Sequence, residues 1–329
     1  MVALALDRKV EVIQKKQNSL LYTRFFGLRS LPFSLTPDPE YFFNHTSSQD
    51  ALNKLLFATR SGEGFVKVTG EVGTGKTLLC RTFLNSLGEQ FIVAYIPNPY
   101  MESLTLLMAI ADELGVAYSA HANQHELLKS LTEFLLNSYA KTGKTVVICL
   151  DEAHAMPRAS MEVLRLLSNL ETAKRKLLQL VLFAQPEFNE RLNHSTIRQL
   201  KQRISFSGEL NPMSRTETED YISHRLAVSG YQGPRLFTRS AMRLVYRTSG
   251  GVPRLINILV HKSLIAAYAE TSRIISLKHV VLAVEDTDSV KSQRWYPESV
   301  FHLKNYFLAV AAGSVLTAVA AGLHNLLVG

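Results

Sequence analysis

Residues 64–84, GFVKVTGEVGTGKTLLCRTFL, combine a short apolar run, a glycine-rich loop and a helical pattern of leucines. Within this stretch Gly70, Gly75, Lys76 and Thr77 have the spacing that is typical of a phosphate-binding loop. Backbone N–H groups in such a loop and at the start of the following helix attract phosphate, and glycine permits its close approach. A glycine-rich turn with a chance lysine is the alternative, but the strand before the loop and the helix after it favour phosphate binding.

The loop predicts a site for a nucleotide and Mg²⁺. We expect Lys76 to reach the β- and γ-phosphates and the Thr77 hydroxyl to bind Mg²⁺. The residues of the loop that we expect at the nucleotide are Gly70, Glu71, Val72, Gly73, Thr74, Gly75, Lys76, Thr77 and Leu78.

Apolar runs along the chain predict a parallel sheet. Strand patterns lie at 65–69, 91–96, 145–150, 178–185 and 203–210, and helical patterns lie near 47–62, 101–114, 124–141 and 158–171. The run 145–150 is continuous and rich in β-branched residues, as in a central strand, whereas 203–210 alternates like an edge or last strand. Strands that alternate with helices predict an α/β fold with helices on both faces of the sheet.

The predicted architecture is a P-loop core followed by a small all-helical lid domain. After residue 212 strand patterns end, and four helical patterns with Ser, Thr or Gly boundaries follow. Aromatic residues between prolines at 25–43 predict an extended arm that packs its aromatic side chains on the next domain. The expected divisions are an N-terminal extension 1–24, the core 25–210, the lid 211–288, a linker 289–304 and a hydrophobic helix 305–329.

Asp151 and Glu152 follow the strand 145–150 directly, at the carboxyl edge where ligands of parallel sheets bind. Phosphoryl transfer needs a second contact to the metal and an oriented water. We expect Asp151 to hold Mg²⁺ through water and Glu152 to act as the general base. The alternative is a pair of acids that caps the next helix. The letters DEAH also spell a helicase box, but no other helicase motif accompanies them.

Four more polar residues have candidate roles. Gln185 ends the fourth predicted strand and is expected to sense the γ-phosphate, or else to bond a turn. Arg203, with Arg198 as the second candidate, lies at the distal end of the sheet, where an arginine finger can reach a neighbouring subunit; a surface salt bridge is the alternative. Arg254 opens a lid helix and is expected to contact the phosphates, with a surface salt bridge again the alternative.

Composition limits the class of protein. A chain of 329 residues with 47% hydrophobic residues is ordered and globular, with room for roughly two domains. The net charge of +8 favours nucleic acid or anionic lipid as partners, although mild basicity alone is also common. Cys80 and Cys149 lie in apolar segments without metal-ligand spacing, which predicts small core residues in a reduced compartment.

Six sequence motifs within residues 25–288 resemble those of a known family: FFGLRSLPFSLTPDPEYFF, GEVGTGKT, VVICLDEAH, LVLFAQPEF, IRQLKQRISF and GGVPRLINIL. The chain resembles the AAA+ superfamily, and within it the ExeA/GspA family of secretion ATPases and its MSHA-type pilus-biogenesis relatives. The resemblance implies ATP hydrolysis. It implies Walker A residues at Gly70, Gly73, Gly75, Lys76 and Thr77, Walker B residues at Asp151 and Glu152, a sensor at Gln185, a finger at Arg203 and a lid arginine at Arg254.

The resemblance also implies a homo-oligomer that drives assembly of a type II secretion or type IV pilus machine at the bacterial inner membrane, with the ATPase in the cytoplasm. The partners would be inner-membrane assembly proteins. Secretion-type members continue into a periplasmic domain, so the end at Gly329 favours the shorter pilus type.

The segment 305–329 has no charged residue and is long enough to cross ~30 Å of hydrocarbon as a helix. Its small residues suit helix packing in a bilayer, and Arg294 and Lys304 precede it on the side expected inside. We expect membrane attachment; a soluble or interfacial amphipathic helix is the alternative.

Two other functions stay open. A DNA-binding ATPase of the transposition-helper type would use the positive charge and the basic stretch 173–176, but no helix-turn-helix pattern is recognisable. A nucleotide-gated scaffold with negligible turnover would not need a general base at Glu152. ATP-driven assembly of an envelope machine is therefore the favoured hypothesis.

Overall fold

A parallel sheet of five strands lies at the centre of the computed structural model, which describes residues 22–168, 176–193 and 198–288. The strands are β1 (Phe65–Gly70), β2 (Phe91–Ile96), β3 (Thr145–Leu150), β4 (Leu178–Ala184) and β5 (Ile204–Leu210). Their order is β2-β3-β4-β1-β5, and every pairing is parallel. The carboxyl ends of β3, β4 and β1 therefore lie side by side, where the acid pair, Gln185 and the glycine-rich loop follow them.

Helices cover both faces of the sheet, as predicted. The helices of this part are α1 (Thr46–Arg60), α2 (Lys76–Asn85), α3 (Ser103–Leu114), α4 (Gln124–Thr142), α5 (Arg158–Leu167), α6 (Glu187–Arg191) and α7 (Arg198–Arg203). α1 and α2 pack on one face, and α3, α4 and α5 on the other. Strand β4 is buried along its whole length, with Leu180 and Leu182 in one apolar cluster and Val181 and Phe183 in the other. Burial on both faces explains why its sequence is continuously apolar.

Four helices follow the sheet and form the lid: α8 (Arg215–Val228), α9 (Arg239–Ser249), α10 (Pro253–Ala269) and α11 (Leu277–Glu285). Their apolar faces share one core, which includes Ile222, Val245, Leu259 and Val280. At the start of α8, Ser214 and Glu217 form a capping box, which is the local reason why the helix begins there.

The N-terminal arm packs mainly on the lid, which corrects the prediction that its aromatic residues pack on the domain next in sequence. Phe26 and Phe33 are buried in the lid core. Tyr22, which falls within the predicted extension 1–24, is also buried there, and its hydroxyl lies 3.0 Å from His261 Nδ1. Aromatic residues indicate burial, but they do not indicate which surface buries them.

An arginine of the lid joins the arm to α8. The Arg225 guanidinium donates to the Pro32 carbonyl, and its central carbon lies 4.6 Å from the ring centre of Tyr41. Arg225 is only 4% exposed, so aromatic rings and a carbonyl replace water around its charge.

Some boundaries differ from the predictions. α1 begins at Thr46, one residue before the predicted 47, where Glu217 of the lid accepts from the Thr46 N–H and hydroxyl. α2 ends at Asn85, three residues before Gly88. Residues 22–26 are helical and not extended. The linker 289–304 and the hydrophobic segment 305–329 lie outside the described residues.

Candidate active site

The glycine-rich loop joins β1 to α2 through two residues with positive φ. Gly73 has φ +84° and Gly75 has φ +99°, which L side chains rarely adopt. At Gly70 the restriction is space, because a Cβ there would lie 2.7 Å from Thr74 Oγ1. The shape of the loop therefore requires glycine at these three positions.

Lys76 begins α2 and its side chain turns back into the loop. Its Nζ donates to the Gly70 carbonyl at 2.8 Å and to the Glu71 carbonyl at 3.0 Å, and the residue is 5% exposed. Burial lowers the pKa of this ammonium group, and the nearby carboxylates of Glu152 and Asp151 oppose that effect. A partly dehydrated cation within the loop can exchange its carbonyl acceptors for phosphate oxygens.

Thr77 and Asp151 meet where β3 faces the loop. Thr77 Oγ1 donates to Asp151 Oδ2 at 2.5 Å, and the Glu152 backbone N–H donates to Asp151 Oδ1 at 2.9 Å. Asp151 is 2% exposed. Burial raises the pKa of its carboxyl group, while these two hydrogen bonds act to lower it.

The Thr77–Asp151 pair fits a magnesium site. A hydroxyl and a carboxylate supply the hard oxygen ligands that Mg²⁺ prefers, and Mg²⁺ usually takes one or two protein groups and completes its shell with phosphate and water. Elsewhere in the described part of the chain, no three His, Cys, Asp or Glu side chains are grouped so that they could hold a metal ion.

Glu152 leaves β3 with φ +50°, a left-handed conformation that costs a non-glycine residue roughly 1–2 kcal/mol. Such residues cluster at functional sites. Its carboxylate Oε2 lies 3.4 Å from Gln185 Nε2 and 3.4 Å from His154 Nε2. His154 was not predicted, and its only signal in the sequence is that it is the fourth residue of DEAH.

A cavity of about 350 Å³ opens beside the loop, between the core, the lid and the arm. Lys76, Thr77, Glu152, Gln185 and Arg254 all line it, so the structure brings these predicted residues together. Val72, Gly73, Gly75 and Leu78 line it as well.

Arg254 approaches the loop through its backbone. Its N–H donates to the Gly73 carbonyl at 3.2 Å, and a Cβ added to Gly73 would lie 2.7 Å from Arg254 Cβ. The start of α10 is thus packed directly on the loop. Not every predicted loop residue lines the cavity: Gly70 and Thr74 shape the loop, and Glu71 lines an adjacent groove between core and lid.

Several residues of the cavity were not predicted. Ser34–Asp38 of the arm close one side, and Tyr221, Arg225 and Asn257 of the lid contribute another. The three lid residues are connected by hydrogen bonds. The Arg225 guanidinium donates to the Tyr221 hydroxyl at 2.8 Å, and that hydroxyl donates to Asn257 Oδ1 at 2.8 Å. Ser34–Asp38 and Asn257 lie within two of the motifs that carry the family resemblance, but their place at the cavity was not predicted, because the arm and the two lid helices meet only in the fold.

Arg203 lies away from this cavity. It precedes the amino end of β5, and β5 runs parallel to β1, so Arg203 is at the end of the sheet opposite to the loop. Its Nη1 donates to Ser168 Oγ at 2.7 Å. The side chain of Arg198 is outside the described part of the structure.

A family model for the AAA domain matches residues 59–192. The chain carries an AAA domain. The chain is 39% identical to general secretion pathway protein A of Aeromonas hydrophila over 293 residues, which make up 89% of the chain and 53% of that protein. The chain is therefore homologous to about half of this relative's length. The AAA domain supports ATPase activity.

Solved AAA-type structures share the fold. ORC2 of Aeropyrum pernix, solved as ADPNP-ADP complexes, has a TM-score of 0.57 at 17% identity and covers 77% of this chain and 72% of its own. Cdc6p of Pyrobaculum aerophilum has a TM-score of 0.61 at 16% identity, with coverage of 78% and 70%. At these identities the likeness shows the fold alone.

None of the helices that the structure describes is both long enough and apolar enough to span a bilayer. The segment that we predicted to be membrane-associated, 305–329, is not among them.

Proposed function

We propose that this AAA protein hydrolyses ATP as a homo-oligomer and thereby drives assembly of a type II secretion machine, or of the related MSHA-type pilus, at the bacterial inner membrane. The observation that carries the chemistry is the 2.5 Å contact between Thr77 and Asp151, with Lys76 and Glu152 beside the same cavity. The proposed secretion role rests on the homology to general secretion pathway protein A.

In the proposed mechanism Lys76 and the loop bind the phosphates of ATP, and Thr77 and Asp151 hold Mg²⁺, the latter through water. When bound there, Mg²⁺ would supply positive charge against the charge that develops on the phosphate oxygens. Glu152 accepts a proton from the attacking water while the water oxygen bonds to the γ-phosphorus and the bond to the leaving ADP oxygen breaks. Gln185 and Arg254 contact the γ-phosphate from the sheet and the lid.

Arg203 completes the site of a neighbouring subunit in this proposal. Its support is its position: it lies away from the cavity of its own chain and carries a charge that no described carboxylate pairs within 4.0 Å. Turnover should therefore rise with protein concentration as oligomers form. A guanidinium supplied in trans typically accelerates phosphoryl transfer by about 10³-fold or more.

ATPase assays on matched variants test the chemistry. Lys76→Ala should lose nucleotide binding, whereas Glu152→Gln should bind ATP and turn over at least about 100-fold more slowly. Glu133→Gln is the control, because Glu133 is an exposed partner of Lys129 on α4. Arg203→Ala should remove the concentration-dependent rate without weakening ATP binding by the monomer. A Glu152→Gln variant with the wild-type rate would contradict the assignment of the base.

Carbonate-resistant membrane fractionation tests the attachment. The full chain should stay with the membrane, and a chain that ends at Lys304 should not. If both chains are released, the membrane anchor is wrong, and DNA binding that falls steeply with salt becomes the next measurement because counterion release is its signature.

A further inference from the structure

His154 occupies a fixed turn immediately after the acid pair. The turn Ala153–Ala155 is a single turn of 3₁₀ helix, with Ala153 and Met156 fully buried. The Arg191 guanidinium donates to the carbonyl of His154 and, at 2.5 Å, to the carbonyl of Met156. These contacts involve backbone carbonyls and the buried side chains on either side of His154. The shape of the turn therefore does not depend on the imidazole.

The imidazole itself touches both Glu152 and Gln185. Its Nε2 lies 3.4 Å from Glu152 Oε2 and 2.8 Å from Gln185 Nε2, and its Nδ1 lies 3.4 Å from the Gln185 backbone nitrogen. These three contacts use both ring nitrogens, although the side chain is still 22% exposed.

The contacts of the ring distinguish its two neutral forms. With the hydrogen on Nε2, Nδ1 accepts from the Gln185 backbone N–H and Nε2 donates to the Glu152 carboxylate, but two donors then face each other across the 2.8 Å between Nε2 and Gln185 Nε2. With the hydrogen on Nδ1, Nε2 accepts one hydrogen of the Gln185 amide, whose second hydrogen faces Glu152. The form with the hydrogen on Nδ1 therefore fits the 2.8 Å contact, and in it the Gln185 amide joins the ring to the Glu152 carboxylate.

A carboxylate that acts as a base must be held in place. The Glu152 side chain is 42% exposed and rotates about several bonds, so in the absence of contacts it would sample many rotamers. Catalysis is sensitive to such disorder, since a displacement of about 1 Å can cost on the order of 100-fold in rate.

We propose that His154 is a positioning residue that holds the Glu152 carboxylate and the Gln185 amide together as one unit for hydrolysis. The proposal rests on the proposed function. It gives the imidazole no contact with the nucleotide, because His154 does not line the cavity that Glu152 and Gln185 share.

Kinetics of the full chain test this role. His154→Ala should lower kcat about ten-fold, while the Kd for the non-hydrolysable analogue ADPNP and the Tm stay at wild-type values. His154→Gln should recover most of the rate, because its amide reaches about as far as Nε2. His121→Ala is the control, since His121 is exposed on a loop. A wild-type kcat for His154→Ala, no recovery by His154→Gln, or an equal loss of ADPNP affinity would each overturn the proposal.

A measurement without turnover separates this inference from the ATPase function. In ¹⁵N-histidine-labelled protein, the imidazole resonance that disappears in His154→Ala should shift in Glu152→Gln and in Gln185→Ala, but not in Glu133→Gln. An unchanged resonance would overturn the contact even if ATP is hydrolysed. An inactive wild-type protein with the shifts present would instead count against the proposed function.

Discussion

Glu217 ties the lid to the core by accepting hydrogen bonds at two helix N-termini. Its Oε1 accepts from the Thr46 N–H at 3.0 Å and from the Thr46 hydroxyl at 2.7 Å, at the start of α1. Its Oε2 accepts from the Ser214 N–H at 2.8 Å, at the start of α8. Burial opposes the ionisation of this carboxyl group, but the hydrogen bonds from Ser214 and Thr46 hold its pKa at about 2.

The substitution Glu217→Gln should therefore weaken the junction between core and lid. The difference between an ordinary pKa of 4.5 and about 2 corresponds to at most about 3.4 kcal/mol. Glu217 is partly exposed, so solvent screening reduces that figure, and glutamine still offers one acceptor oxygen. We expect the free energy of unfolding at pH 7 to fall by about 1–2 kcal/mol, which is typical of lost charge-assisted hydrogen bonds.

The pH dependence has a definite sign. Because the pKa of Glu217 is lower in the folded than in the unfolded chain, its stabilisation is complete above about pH 4.5 and is lost as the pH falls towards about 2. The stability difference between wild type and Glu217→Gln should therefore be largest at neutral pH and roughly halved near pH 3.

Urea unfolding followed by circular dichroism measures this difference. The matched control is Glu219→Gln on the same helix, where the carboxylate pairs at the surface with Arg215 at 3.4 Å and Arg235 at 2.7 Å. We expect the control to lose no more than about 1 kcal/mol, as exposed ion pairs do. Equal losses for the two variants, or a Glu217→Gln difference that does not change with pH, would refute the reasoning.

Three further substitutions have clear expectations. Gly73→Ala should cost more than about 1 kcal/mol and reduce nucleotide affinity in a fluorescence titration, because φ is +84° and the new Cβ would lie 2.7 Å from Arg254 Cβ; wild-type affinity would contradict this. Arg225→Met should speed tryptic cleavage within the arm, since the bond to the Pro32 carbonyl is lost; cleavage at the wild-type rate would count against it. Phe183→Ala should lower the free energy of unfolding by about 3–5 kcal/mol, because the ring is fully buried in β4; a loss under 1 kcal/mol would be inconsistent with that packing.

The strands of the core were predictable because their signals are local. The continuous run Thr145–Leu150 is β3 with the predicted bounds, an interior strand between β2 and β4, and Phe91–Ile96 is β2. β5 lies at the sheet edge, as its alternating pattern indicated. A continuous apolar run indicates that both faces of a strand are covered, and an alternating run indicates that one face is covered.

The site was predictable in its chemistry and less so in its contacts. The spacing of the glycine-rich loop and the acid pair after β3 placed Lys76, Thr77 and Glu152 at one edge, and the structure brings them to one cavity. His154 escaped prediction because a histidine in a turn has no periodic pattern. Its neighbour Gln185 is 31 residues away in the chain, and only the pairing of β3 with β4 brings the two together.

The sequence by itself determined the parallel α/β core, the phosphate-binding loop and the four lid helices, because these follow from hydrophobic periodicity and from caps within a few residues. Only the tertiary structure decided that the arm packs on the lid and that Glu217 also accepts from Thr46, 171 residues away. The capping box of Ser214 and Glu217 is visible in the sequence, whereas its second partner is not. Local sequence patterns indicate that a group is buried or hydrogen-bonded, but the tertiary fold determines which group is its partner.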